Sequence, residues 1–318
     1  MKLFVIIISL WIILGVITAP HTYPINPKKK TCRTVCSLTT RPFQPYYFKD
    51  VLDSLVEQFD AVYLTLPYIS HKGIKYPEIS HPGVTIVRPE KDYGPITKFF
   101  GPLDIEKDPD TLIVILDDDV VYKPNTRRQY MREHLKYPGC VLSGSGIIYK
   151  YSNIHWLLSI SPRRNNMSPI LPSFVGSNHT TTVVGSCGIA FERNLLDKFE
   201  LLSFMNIWCE NYRDCFINDD IVISAYFSQK KITRLLVNVD NSGCRDDKDT
   251  ESLSGLGQNI FASQHRAYCI MKECFIEPHR IDCICLVDIF IITVILYLSI
   301  RNYNKGDQGE NFQPVLKV

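Results

Sequence analysis

Three consecutive carboxylates, Asp117, Asp118 and Asp119, follow directly on the apolar run LIVIL at 112–116. An unbroken run of this kind reads as a strand buried on both faces, so the acids stand where a core strand leaves the interior. Burial and mutual repulsion both disfavour their ionised forms. A hard divalent cation removes that conflict, because Mg²⁺ or Mn²⁺ is commonly held by one or two carboxylates together with substrate phosphates. A solvated acidic turn is the plain alternative. A second acidic group, Asp219 and Asp220 after Asn218, opens the stretch that begins at Ile221. Asn is a good helix N-cap and acids suit the first turn. A carboxylate in that place is also chemically able to take a proton from a hydroxyl.

The elements that must position these acids follow from periodicity. Short apolar runs at 34–38 (TVCSL), 61–66 (AVYLTL), 84–87 and 112–116 read as strands, and 48–59 carries apolar residues at helical spacing. The second half is less regular. Strands are expected at 140–143, 181–184 and 233–239, a short helix at 194–199, and a helix with a polar opening at 219–229. Alternation of strand and helix predicts an open α/β sheet, flanked by helices, with a ligand crevice at the strand C-termini. The segment 31–278 is expected to form one domain.

A hydrophobic fraction of 45% and a charged fraction of 21% describe a globular chain of 318 residues, not a disordered one. Thirty-five Lys and Arg against 33 Asp and Glu, a formal charge of +2, argue against a dedicated nucleic-acid binder. The densest apolar runs lie near the two ends, at 3–19 and 284–300. They predict a signal anchor or signal peptide over 1–20, a short stem over 21–31, a transmembrane helix over 284–300 and a polar tail over 301–318. Pro20 at the position after a cleavage site favours the uncleaved anchor. Sequons at Asn166 and Asn178 and a total of 11 cysteines favour a lumenal, oxidising side, with disulfides among some of the cysteines. Cys283 and Cys285, beside the second run, are candidates for acylation instead.

Several segments together resemble the GT-A-fold glycosyltransferases, in particular a group carrying YGP..K, DPDT and DDD motifs. They are TVCSLTTRP from Thr34, DAVYLTLP from Asp60, the run from Gly83 to Tyr122, VVGSCGIAFER from Val183 and NDDIVISAYF from Asn218. The resemblance covers most of 34–240 and implies a GT-A-like (Rossmann-like) open mixed sheet. It implies a metal-dependent enzyme moving a sugar from a nucleotide-sugar, UDP-linked, to a hydroxyl on a glycan, protein or lipid acceptor, with inversion. By the same resemblance Asp119 and Asp117 would be metal ligands for Mn²⁺ or Mg²⁺, with Asp117 also near the ribose and Asp118 facing either way. Thr39 and Arg41 would meet the nucleotide, Tyr93 would stand in the donor-binding turn before Lys98, and Lys98 would approach the diphosphate. Gly185 and Gly188 would let backbone approach the donor sugar and acceptor. Asp220 would be the catalytic base, supported by Asp219, and His265 a third metal ligand. For Arg41, Lys98 and His265 an ordinary surface role is the alternative. Two rival readings are a nucleotidyltransferase and a non-enzymatic, disulfide-stabilised membrane surface binding protein. A nucleotidyltransferase normally carries a Gly-rich phosphate loop after its first strand, and 39–45 contains no glycine.

Overall fold

Strand β1 (Thr34–Leu38) and strand β4 (Leu112–Ile115) are buried along their whole lengths and pair in parallel at the centre of the sheet. The computed structural model describes residues 32–43, 47–147, 182–239 and 260–275. All of them belong to one compact unit, Pro20–Ile276; a second unit, Met1–Ala19 with Glu277–Val318, lies outside the described residues.

After β1 the chain forms helix α1 (Phe48–Val56), strand β2 (Ala61–Thr65) and strand β3 (Val84–Val87). A 3₁₀ turn at Gly94–Phe99 runs into helix α2 (Phe100–Ile105) and then into β4. Helix α3 (Thr126–Lys136) and strand β5 (Val141–Ser143) follow, with the short pair β6 (Gly146–Ile147) and β7 (Thr182–Val183) beside the main sheet. Strand β8 (Ile189–Glu192), helices α4 (Lys198–Trp208), α5 (Arg213–Ile217) and α6 (Asp219–Gln229), strand β9 (Arg234–Leu236) and helix α7 (Ile260–Met271) complete the described order.

The main sheet has seven strands in the order β3-β2-β1-β4-β8-β5-β9. All neighbours are parallel except β8, which runs antiparallel to both β4 and β5. The chain therefore moves outward from β1 to β3, then returns to β4 on the other side of β1. This is a topological switch point, the place where open α/β sheets form a ligand crevice outside the strand C-termini.

Alternate side chains of a strand point to opposite faces, and the core obeys this. Val35, Ile113, Ile115 and Phe191 pack with Phe99, Phe100 and the apolar sides of α4, α6 and α7. Cys36, Leu38, Val114, Leu116 and Ala190 pack against α1 and Tyr130 of α3 on the other face.

Several expectations shift on inspection. The helix expected over 48–59 ends at Val56, although Phe59 still packs in the core. The helix expected over 194–199 is a 3₁₀ turn at Arg193–Leu195, and the true helix starts later because Asp197 caps it, accepting from the backbone N–H groups of Phe199 and Glu200. Of the cysteines, Cys36, Cys140, Cys209, Cys215, Cys269 and Cys274 are free thiols; all but Cys269 are buried and serve as small apolar residues.

The expected membrane location is corrected as well. Among the described residues no helix is long and apolar enough to cross a membrane. The longest of them, α7, has 12 residues, which at ~1.5 Å per residue falls far short of a bilayer core of about 30 Å. The runs 3–19 and 284–300, both sequons, and Cys283 and Cys285 lie outside the described residues.

Candidate functional site

The alternation along β4 continues past its end and sends the three acids in different directions. Asp118 follows Val114 and Leu116 toward the α1 face; there Thr40, the next residue in the series Cys36 and Leu38, donates its hydroxyl to Asp118 Oδ2 at 2.5 Å. The bond joins the loop after β1 to the loop after β4 across the switch point. Asp117 follows Ile113 and Ile115 to the opposite face and accepts from Lys98 Nζ at 2.6 Å. Asp119 is half-buried, with its Oδ1 closed off from solvent. Tyr122 closes the turn: its hydroxyl oxygen accepts from the backbone N–H of Asp117 at 2.8 Å.

Lys98 is held from both ends. Ser37 of β1 donates its hydroxyl to the Lys98 backbone carbonyl at 2.6 Å. The ammonium, on a side chain only 5% exposed, also meets Asp219 Oδ2 at 2.8 Å. Burial works against that charge, but Asp117 and Asp219, with Asp220 beyond them, outweigh it and keep the amine well above its ordinary pKa.

Asn218 stands at the cap position of α6, but its side-chain amide donates backward, to the Asp214 carbonyl at 2.6 Å and to Ser263 Oγ at 2.9 Å. The first turn of α6 is thus anchored to α5 and α7. Asp220 Oδ1 accepts from the Gly185 backbone N–H at 2.9 Å. Burial, and then the neighbouring Asp219, drive the Asp220 carboxyl well above its usual range, with Lys98 opposing them. Gly185 is where these groups meet. A Cβ added there would lie 3.1 Å from Asp117 Oδ1 and 3.3 Å from both Asp220 Oδ1 and Lys98 Nζ. Gly188 has φ +91°, and a Cβ there would lie 2.7 Å from the Tyr130 hydroxyl, which donates to the Gly188 carbonyl.

Asp118 carries the clearest sign of charge imbalance. Burial pushes its carboxyl up to about 7, Thr40 pulls the other way, and Asp119 and Asp117 add repulsion that Arg41 partly offsets. Among the described residues no group of three or more His, Cys, Asp or Glu side chains could hold a metal ion on its own. A hard cation shared with phosphate oxygens needs only one or two carboxylates. Asp118 and Asp119 meet that requirement as adjacent oxygen donors, the first with its carboxyl raised by burial and the second with Oδ1 closed off from solvent. Asp117, expected as a further ligand, has its Oδ1 engaged by Lys98.

The remaining expected residues are dispersed. Thr39 donates to the Thr65 carbonyl at 2.7 Å, tying β1 to β2. Tyr93 packs on Phe100, ring centroids 4.8 Å apart, and its backbone N–H donates to Thr97 Oγ1. His265 lies exposed on α7, its Nε2 3.6 Å from Cys269 Sγ.

Sequence reasoning missed Thr40, although extending the alternation of β1 by one step would have selected it over Thr39. It also missed the contact between Asp92 and His71 that leads into the Gly94 turn. The buried Asp92 carboxylate accepts from the His71 backbone N–H at 2.9 Å, from its Nδ1 at 3.1 Å and from the Gly94 N–H at 2.8 Å. No local pattern links residues so far apart in sequence.

Neither a protein-family model nor a curated protein matches the chain. Among solved structures it is similar to the 2-C-methyl-D-erythritol 4-phosphate cytidylyltransferase (IspD) of Francisella tularensis, at 7% identity and a TM-score of 0.40, over 70% of this chain and 96% of that one. A 4-diphosphocytidyl-2C-methyl-D-erythritol synthase gives 9% identity and a TM-score of 0.32, over 54% of this chain and 80% of that one. At such TM-scores neither likeness bears on the activity of this chain.

Proposed function

We propose that the chain is a metal-dependent glycosyltransferase of GT-A-like fold that moves a sugar from a nucleotide-sugar donor, UDP-linked, to a hydroxyl acceptor with inversion. The observation that carries the reading is the meeting of two acidic groups around one glycine. Asp117 from the turn after the central strand and Asp220 from the α6 opening lie beside Gly185, and Asp219 is joined to Asp117 through Lys98. An inverting transfer needs a site for the diphosphate and, across the anomeric carbon from it, a base for the acceptor hydroxyl.

In this reading Asp119 and Asp118 hold Mn²⁺ or Mg²⁺. When bound, the ion supplies Lewis-acid stabilisation of the departing nucleoside diphosphate. Arg41 offers its planar guanidinium to phosphate oxygens, for which two parallel N–H···O bonds are the favoured geometry. Thr40 fixes Asp118, so that the carboxylate does not have to be reoriented as the donor arrives. Asp220 takes the acceptor proton. Burial raises its proton affinity, and the Gly185 N–H fixes its Oδ1. The glycines at 185 and 188 leave backbone, not side chain, against the sugar.

The test uses the full-length chain with a panel of nucleotide-sugars. UDP release is expected from one of them, only with Mn²⁺ or Mg²⁺ present, and Asp119→Ala is expected to lower it by about 100-fold or more, the scale of losing a principal electrostatic group. Pyrophosphate release from a nucleoside triphosphate would instead favour the nucleotidyltransferase. Absence of turnover with every donor would leave the binding protein.

A further inference from the structure

We propose that Lys98 is a positioning residue for the acid pair at the start of α6, and not a contact to the donor diphosphate; the inference rests on the transferase reading above. The sequence, taken alone, directs this lysine toward phosphate. Its surroundings give it a different task. The ammonium donates to Asp117 Oδ1 at 2.6 Å and forms an ion pair with Asp219 Oδ2 at 2.8 Å, on a side chain 5% exposed. The Lys98 backbone is fixed at its carbonyl by Ser37 Oγ. A lysine fastened at both ends and turned away from solvent has little capacity to follow a donor that enters and leaves in every cycle.

What it does instead is join two elements from distant parts of the chain. Asp117 belongs to the turn after β4, and Asp219 is the first residue of α6. Without the ammonium these two carboxylates face each other across a buried gap, where like charges repel strongly. The first turn of α6 would move, and Asp220 would move with it off the Gly185 N–H. Thr40 and Asp118, assigned to the donor, lie on the other side of the strand end and keep their own contact. Loss of Lys98 therefore separates the chemical step from donor binding. A phosphate contact would couple them.

The experiment measures two quantities on the full-length chain. UDP affinity is taken from the thermal shift produced by UDP with Mn²⁺, and kcat from donor-to-acceptor transfer. For Lys98→Met the expectation is a UDP Kd within about twofold of wild type and a kcat at least ~100-fold lower, the range attributed to a correctly placed general base. Should Lys98→Met not fold, Asp219→Asn removes one of the ammonium's two partners at smaller cost, and the same split is expected, with a smaller fall in kcat. A UDP Kd raised tenfold or more with kcat preserved, in either variant, overturns the inference and restores Lys98 as a phosphate contact. An unchanged kcat in both variants overturns it too. Wild-type protein that turns over no nucleotide-sugar removes the transferase reading, and the positioning role falls with it.

Discussion

The two ends of the sheet both bury carboxylates, and they treat them in opposite ways. At the end where β1 and β4 begin, Glu106 is 5% exposed and fully matched. Arg33 donates to it from Nε at 3.0 Å and from Nη2 at 3.0 Å, a two-pronged ion pair, and the Tyr63 hydroxyl adds a third bond. At the end where the same strands finish, Asp117, Asp118, Asp119, Asp219 and Asp220 share Lys98 and the nearby Arg41. The first arrangement is electrically closed and acts as a clasp. The second, among the described residues, crowds five carboxyls around two cations, and burial with mutual repulsion raises the Asp118 and Asp220 carboxyls. That asymmetry between ends of the same two strands locates function better than any one residue does.

The comparison can be broken first at the closed end. Glu106→Ala removes the shared partner of Arg33 and Tyr63 and should lower stability by about 2 kcal/mol, the scale of losing hydrogen bonds to a charged group whose cation stays partly hydrated, while leaving UDP affinity unchanged. Urea unfolding checks the former and thermal shift with UDP the latter. A large loss of UDP binding would show that the two ends are not separable.

The open end should respond to pH in the absence of divalent cations. The Asp118 carboxyl is raised from 3.8 to about 7 in the folded protein. Between those values the native state holds more protons than the unfolded chain, so stability is greatest at low pH and falls as pH rises through the folded value. Melting followed from pH 5 to 8 in EDTA should show this fall, and Asp118→Asn should make it shallower. A slope identical in wild type and variant would mean that Asp118 is not under electrostatic stress. The smallest effect is expected from Gly185→Ala. The added methyl crowds Asp117, Lys98 and Asp220 at 3.1–3.3 Å, and should cost about 1 kcal/mol in stability while reducing transfer more than it reduces donor binding.

Much of this organisation was legible from residue order. The central strand is visible in LIVIL, since only apolar side chains suit a strand covered on both faces, and the N-terminal strands follow from short apolar runs closed by Pro or polar residues. Strand β8 was not seen, because IAFE is brief and follows a glycine-rich stretch that resembles a loop. Helix α3 gives no apolar period because its sequence, TRRQYMREHLK, is mostly polar, and its buried face joins Tyr130 to the polar Gln129, Glu133 and His134. The acids could be found as strings, but their directions could not. Asp117 and Asp118 are adjacent in sequence yet meet different partners, because pleating sends neighbours to opposite faces. The Lys98–Asp219 contact joins residues that no local period relates, so only tertiary structure reveals it.

The placement of β8 also bears on how the chain is made. Leu112 pairs with Glu192, and Ile115 with Ile189, so one flank of the most apolar strand waits for a partner synthesised much later. On a ribosome emitting the polypeptide from its N-terminus, the β1–β4 half would emerge first with that flank uncovered. Long-range antiparallel closure of this sort is slow, and an open apolar edge invites pairing with other nascent chains. Recombinant production should therefore benefit from cooler growth and from chaperones that shield exposed strands until the C-terminal half arrives.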